Sequence, residues 1–285
     1  MAFEYVEPAT LAGAFDALER GGTDAHVLAG GTALVLLMRM GLVQPAYVVG
    51  LRRIEGLREI GISKEGGLDI GALVTHAEIE RSALVRRFFA PLAETFGRVA
   101  SVRIRNQATI GGNLVHADPA SDPPPMLIAL DAEIVVARRG GVRTIPAAEF
   151  FRDVFETALE PGEVVTAIRI PPPVDGTRGA YVKFLPASKD DFATVSVAVT
   201  IRLAASGVCE DVRVALGAVA TTPLRARRAE EALRGKHVTP EAIDAAAAIV
   251  VGDVEPLDDG RGSAGYKREM ARVWTRRAIT QLISA

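Results

Sequence analysis

The stretch from Val102 to Pro125, V-R-I-R-N-Q-A-T-I-G-G-N-L-V-H-A-D-P-A-S-D-P-P-P, decides the fold and points to the site. A strand-like apolar run leads into a Gly111-Gly112-Asn113 turn, and Asp118 and Asp122 precede an apolar, helix-like run. Near the N-terminus, Leu28-Ala29-Gly30-Gly31-Thr32-Ala33 repeats the arrangement, between a short strand at His26–Leu28 and an apolar helix at Thr32–Met40. Glycine lets a ligand come close to the backbone, and unshielded amides opening a helix attract an anion such as a pyrophosphate. Two such loops predict a cradle for a phosphate-bearing cofactor.

Each motif also has a plainer reading. The chain has 27 glycines and five adjacent pairs, so a Gly-Gly is usually only a turn. Gly21-Gly22 suits a helix exit, and Gly66-Gly67 and Gly140-Gly141 suit hairpins. For Gly30-Gly31 the turn and the anion cradle stand side by side. No Gly-x-Gly-x-x-Gly or P-loop spacing occurs, which argues against a Rossmann or P-loop site. Asp118 is best read as opening an Asp-Pro turn. For Asp122, capping the helix at Pro124 and accepting hydrogen bonds from ligand hydroxyls stand level. His116, Asp118 and Asp122 could suggest a metal, but one loop rarely supplies a coordination sphere. No metal site is assigned, and with no Gly-x-Ser-x-Gly or Cys–His pattern no catalytic residue is assigned either.

Composition narrows the class. The 285 residues suffice for two domains, and 49% are hydrophobic, enough for a sizeable core. The net charge of −2, from 33 basic and 35 acidic residues, gives no long-range pull on nucleic acid or an anionic membrane. The single cysteine, Cys209, can form no internal disulfide and ligate no iron–sulfur cluster. The acidic N-terminus lacks signal-peptide order, and glycines, Arg39, Gln44 and Pro45 interrupt the most apolar region. The expectation is a soluble, cytoplasmic protein with no transmembrane span.

Along the chain, Thr10 caps a helix over Leu11–Arg20. A strand follows at Ala46–Leu51, a hairpin joins Leu57–Ile62 to Leu68–Ile70, and helices lie at Thr75–Arg81 and Pro91–Phe96. The helix of Thr32–Met40 is too apolar for a surface and is expected to be buried. Pro124–Leu130 leads into a strand at Glu133–Arg138. Pro171-Pro172-Pro173 marks a boundary. Strands then run over Ala180–Leu185, Thr194–Ala204 and Val208–Ala220, and helices over Leu224–Arg234, Pro240–Val251 and Gly265–Ser284. Arg225-Ala-Arg-Arg and Arg276-Arg277 read as solvated helix faces, with a subunit contact as the sharper alternative.

Taken together, these blocks resemble the FAD-binding medium subunit of the molybdenum hydroxylases, the group of carbon monoxide dehydrogenase and xanthine dehydrogenase. The resemblance rests on Ala29-Gly30-Gly31-Thr32-Ala33, on Ile104-Arg105-Asn106 with Thr109-Ile110-Gly111-Gly112-Asn113, on Ala117 to Asp122, on Ala129 to Ala132, and on Pro223 to Arg227 with Glu231 and Leu233. It implies an α+β fold: two α/β FAD-binding subdomains of the vanillyl-alcohol-oxidase-like type, about 1–55 and 56–173, and a C-terminal antiparallel sheet with helices over 178–285. It implies that Ala29, Gly30, Gly31, Thr32 and Ala33, with Thr109, Ile110, Gly111, Gly112 and Asn113, wrap the FAD pyrophosphate and its neighbourhood. By the same token Asp122 holds the sugar or ribityl side, Lys183 lies near the flavin ring, and Phe192 lies beside the isoalloxazine.

The implied role is electron transfer. Clusters in a small iron–sulfur subunit would pass electrons through FAD to an external quinone, NAD or oxygen, while a large subunit with the molybdenum cofactor oxidises the substrate. The assembly expected is a dimer of heterotrimers. Two departures stand out: Thr32-Ala33 where relatives often have His-Ser, and Leu185-Pro186 where many have paired basic residues. Two alternatives remain, a self-contained oxidase with covalent FAD and a flavin-free scaffold subunit. The first lacks a His or Cys in the Gly-Gly loop; Thr32-Ala33 is the only hint of the second.

Overall fold

Three main sheets organise the computed structural model, which describes residues 3–185 and 187–284. The first part contains β1 (Glu4–Val6), α1 (Leu11–Gly21), β2 (Ala25–Leu28), α2 (Leu34–Arg39) and β3 (Tyr47–Gly50). Its strands form a parallel sheet in the order β1-β3-β2. Thr10 starts α1 by accepting the Gly13 amide at 3.1 Å, and Gly22, at φ 53°, ends it. Ala14, Ala17 and Leu18 bury one face of α1 beside Tyr47, Val49 and Leu51.

The middle part runs through β4 (Ile60–Ile62), β5 (Leu68–Gly71), α3 (His76–Arg81), α4 (Ala83–Gly97), α5 (Val102–Arg105), α6 (Ile110–His116) and α7 (Pro123–Ala129). It continues with β6 (Glu133–Arg138), β7 (Gly141–Pro146), α8 (Ala147–Phe150), β8 (Phe151–Asp153), β9 (Glu156–Thr157) and β10 (Val164–Ile170). The antiparallel sheet β4-β5-β10-β6-β7 carries its core. Thr75 and Glu78 form a reciprocal capping box at the start of α3.

The last part contains β11 (Arg178–Phe184), β12 (Val195–Leu203), β13 (Cys209–Gly217), β14 (Leu224–Arg225), α9 (Arg227–Leu233), α10 (Pro240–Val250) and α11 (Ala264–Ser284). Its antiparallel sheet is covered on both faces. Tyr181, Ala198 and Ala215 join the core that includes α4 and α7, while Val197, Val199, Val214 and Leu216 pack against α9, α10 and α11. This double burial explains why β12 is buried without a break from Val195 to Ile201, Ser196 and Thr200 included.

Several expectations are corrected. The strand-like run at Val102 is the short helix α5, started by Ser101, whose hydroxyl accepts the Ile104 amide. Gly111-Gly112-Asn113 is the first turn of α6, because the Thr109 hydroxyl accepts the Gly112 amide and nucleates a helix there. No residue of α2 is fully buried: Val35 and Leu36 are exposed, as are Met40 and Leu42 just past its end, so among the described residues this apolar helix is only partly covered. Leu224–Arg225 pairs with β13 before the helix begins, and β10, central to its sheet, is missing from the sequence reading. Arg225 is no solvated face, since it is held by Asp131 and the buried Glu230.

Candidate functional site

The parallel pairing of β2 with β3 ends at Leu28 and Gly50, and the chain then leaves the sheet through Ala29–Ala33. Gly31 takes φ +74°, and a Cβ on Gly30 would stand 2.1 Å from the carbonyl oxygen of Gln107. The first loop therefore lies directly against the segment that leads into the second. A Cβ on Gly112 would be 3.7 Å from the Ala29 Cβ, so the two glycine loops face one another. Among the described residues, the amides of Gly30, Gly31, Thr32 and Ala33 donate to no acceptor.

The second loop behaves differently. Its amides are used internally: Ile110 donates to Val74 O and Gly111 to Ala72 O, both at 2.9 Å, Gly112 to Thr109 Oγ1 at 3.2 Å, and Asn113 to Thr109 O at 2.9 Å. A Cβ on Gly111 would lie 2.7 Å from that of Ala72, so glycine there lets α6 pack against the end of β5. This loop offers close approach and the Asn113 side chain, and among the described residues only its Thr109 amide is left without an acceptor. That corrects the picture of two equivalent amide cradles: Val74 and Ala72 take the Ile110 and Gly111 amides, and the Thr109 cap takes the next two.

A polar seam runs on from Asn113. Its Nδ2 donates to Ser121 Oγ at 3.4 Å, while its buried Oδ1 has no partner among the described residues. Asp118 accepts the Ala120 amide at 2.8 Å, the turn expected of it. Asp122, 3% exposed, makes no cap for α7. Instead its Oδ1 accepts the Tyr181 hydroxyl at 2.6 Å and its Oδ2 accepts Lys183 Nζ at 2.8 Å. Lys183 Nζ also donates to the Arg98 carbonyl at 3.0 Å. Burial pushes the Asp122 carboxyl up from its ordinary value, and the Lys183 ammonium and Tyr181 phenol oppose it. Burial, and then the Asp122 charge, hold the Tyr181 phenol well above its ordinary value, so it stays a donor.

Phe192 lies in the connection between β11 and β12, just past the Phe184–Val195 pair and so at the Lys183 end of those strands. Its ring is 46% exposed, with the Arg261 guanidinium 5.7 Å from its centroid. Phe192 is thus a rim residue, not a member of the buried seam. Pro186 of Leu185-Pro186 lies outside the described residues.

Sequence reasoning missed Tyr181, Ser121 and the Arg98 carbonyl. Tyr181 had a usable signal: strand alternation puts it on the same face as Lys183, two residues on. The Arg98 carbonyl had none, because any residue supplies one. His116 stacks on Phe155 at 5.1 Å, and among the described residues no group of three His, Cys, Asp or Glu side chains is placed to hold a metal.

The donor set fits a dinucleotide flavin. Free amides would suit a diphosphate, the unpartnered Asn113 oxygen and the Asp122 carboxylate would suit hydroxyl or N–H donors, and the Lys183 ammonium would suit a ring that gains electron density on reduction. Among the described residues no helix is long and apolar enough to cross a membrane.

Comparisons with known proteins agree. Residues 1–173 match the model of the FAD binding domain in molybdopterin dehydrogenase, and residues 180–282 that of the CO dehydrogenase flavoprotein C-terminal domain. The chain is 38% identical over 278 residues to the carbon monoxide dehydrogenase medium chain of Hydrogenophaga pseudoflava, covering 97% of this chain and 96% of that one. It is 32% identical over 280 residues to the glyceraldehyde dehydrogenase medium chain of Sulfolobus acidocaldarius, covering 98% of each. A structure of the Hydrogenophaga pseudoflava enzyme superimposes with a TM-score of 0.96 at 37% identity, over 100% of this chain and 98% of that one. With its free-amide loop, buried acid–lysine seam and two-faced C-terminal sheet, this chain belongs to the FAD-binding medium subunits of the molybdenum hydroxylase family.

Proposed function

We propose that this chain takes electrons from iron–sulfur clusters of a small partner subunit and delivers them through FAD to an external acceptor, a quinone, NAD or oxygen. A large subunit bearing the molybdenum cofactor oxidises the substrate, and the assembly is a cytoplasmic dimer of heterotrimers. The FAD-binding region spans 1–173, with subdomains of about 1–55 and 56–173, and the C-terminal region spans 178–285.

The observation that carries this reading is the seating of Gly30 on Gln107, which sets the free amides of Gly30–Ala33 opposite α6. Those amides take the pyrophosphate, and they are present whether Thr32-Ala33 or His-Ser follows the glycines. Thr109–Asn113 line the opposite side through close approach and the Asn113 amide. Asp122 holds the sugar or ribityl hydroxyls, Lys183 stands by the ring, and Phe192 covers it from the rim. FAD, when bound, supplies the redox chemistry, and the protein orients and tunes it. The exposed apolar face of α2 supports a partner subunit beside the cradle, since patches of this kind mark interaction surfaces.

The test is purification of the tagged chain from its host. Co-elution of a large molybdenum-containing and a small iron-containing subunit, with flavin absorbance bleached by substrate only when the small subunit is present, is the expected result. A monodisperse monomer with full dehydrogenase activity refutes it. Reoxidation rates with quinone, NAD and oxygen identify the acceptor.

A further inference from the structure

We propose that Tyr181 is a positioning residue that sets how much of the Lys183 charge reaches the bound flavin, acting through Asp122. This rests on the reading above that Lys183 faces the flavin ring.

Lys183 is 2% exposed at its side chain and Asp122 4%. An ammonium has three N–H donors, and among the described residues two are engaged, by Asp122 Oδ2 and by the Arg98 carbonyl. The third has no acceptor among the described residues and, on that reading, faces the flavin. Asp122 could draw it inward, because a carboxylate has two oxygens and can accept from the same ammonium with both. Tyr181 opposes that. Its hydroxyl already satisfies Oδ1 at 2.6 Å, and Lys183 bonds Oδ2 alone. The phenol is fixed by its strand: Tyr181 pairs with Ala198 in the middle of the β11–β12 ladder, and its ring belongs to the core packed on α4 and α7. The Arg98 carbonyl holds the ammonium from the other side. The loop carrying it is itself pinned, since Arg105 donates to the Val99 and Ala100 carbonyls at 3.0 and 2.7 Å.

Removing the phenol hydroxyl leaves Oδ1 buried without a donor, a costly state. Lys183, already bonded to Oδ2, is a charged donor within reach, and its charge then turns toward Asp122 and away from the ligand. A cation facing a flavin favours the reduced, more electron-rich cofactor, so this withdrawal lowers the reduction potential.

The experiment is a spectroscopic redox titration of the FAD-loaded complex for wild type, Tyr181→Phe, Asp122→Asn, Lys183→Met and the Tyr181→Phe/Asp122→Asn pair. Thermal unfolding of each is read in parallel. Tyr181→Phe, which keeps the ring packing, is expected to lower the preference for reduced over oxidised FAD about tenfold, a fall of about 30 mV for a two-electron couple. Asp122→Asn removes the competing negative charge and is expected to raise the potential. In that background, Tyr181→Phe is expected to produce no further fall, as required of a residue acting through Asp122. Opposite signs in the two single variants cannot come from general loosening of the fold. An unchanged potential in Tyr181→Phe, with Lys183→Met clearly shifted, overturns the role of Tyr181 alone. An unchanged potential in Lys183→Met overturns it together with the placement of Lys183 by the flavin.

Discussion

Replacing Gly30 by alanine tests the contact on which the cradle depends. The added Cβ would stand 2.1 Å from the Gln107 carbonyl oxygen and 3.1 Å from the Ala108 Cα, both backbone atoms that cannot swing aside like a side-chain tip. Real Cβ contacts essentially never fall below 3.0 Å, so the loops must part by about 0.9 Å. Gly30 does not have the positive φ of Gly31, so the penalty is steric and not conformational. Overpacking of this kind costs about 1–3 kcal/mol. Parting the loops relieves the strain and binding FAD restores it, so the cost falls mainly on affinity. At about 1.4 kcal/mol per tenfold, the Kd for FAD rises roughly 5- to 150-fold. The assay is titration of the deflavinated protein with FAD by flavin fluorescence, with urea unfolding alongside. Gly61→Ala is the control, because nothing lies within 4 Å of its added Cβ. If Gly30→Ala binds FAD within twofold of both wild type and control, the contact does not shape the site.

Gly112→Val adds branches on the side of α6 that faces Ala29 and Thr109, and abolishes FAD binding while the C-terminal sheet stays folded, as read by the fluorescence of Trp274, the single tryptophan. Full flavin occupancy in that variant counts against α6 as part of the site. His76 is fully buried against Phe96, neither ring nitrogen has a partner among the described residues, and burial, then Arg105, pushes its pKa down to about 4. Between pH 6.5 and 4 the unfolded chain binds a proton that the folded chain refuses, so stability falls as pH falls across that window, by roughly 3 kcal/mol. His76→Phe is expected to remove that slope from urea midpoints, and an unaltered slope assigns it to other groups. Arg225→Met strips the buried Glu230 of its nearer ion pair, leaving it the Val214 amide at 2.9 Å and the Arg234 guanidinium at 3.9 Å. A buried charge left with only that distant cation predicts a loss of up to about 3–5 kcal/mol, and a urea midpoint shift corresponding to under 1 kcal/mol rules out that role.

The sequence by itself determined whatever is written in neighbours three or four residues apart, or in strand alternation. Thr10 marks the helix start found in the structure, and the helices read from Thr75 and Pro240 begin within a residue of those positions, because an N-cap reads only the next turn. The hairpins at Gly66-Gly67 and Gly140-Gly141, the strand Glu133–Arg138 and the long antiparallel strands after the three prolines were legible for the same reason. The motif blocks likewise singled out the two loops, and Asp122 and Lys183 one by one, but not as partners of each other. Only the tertiary structure decided how those pieces work together. That the first loop keeps its amides free while the second uses most of its own depends in part on Val74 and Ala72, which belong to another segment. That Asp122 leaves α7 uncapped depends on Tyr181 and Lys183, 59 and 61 residues away. The apolar α2 read as core because local hydropathy cannot tell a side chain covered by its own chain from one the chain leaves uncovered. Periodicity reports which face of an element is apolar; only packing in three dimensions says what, if anything, lies against it.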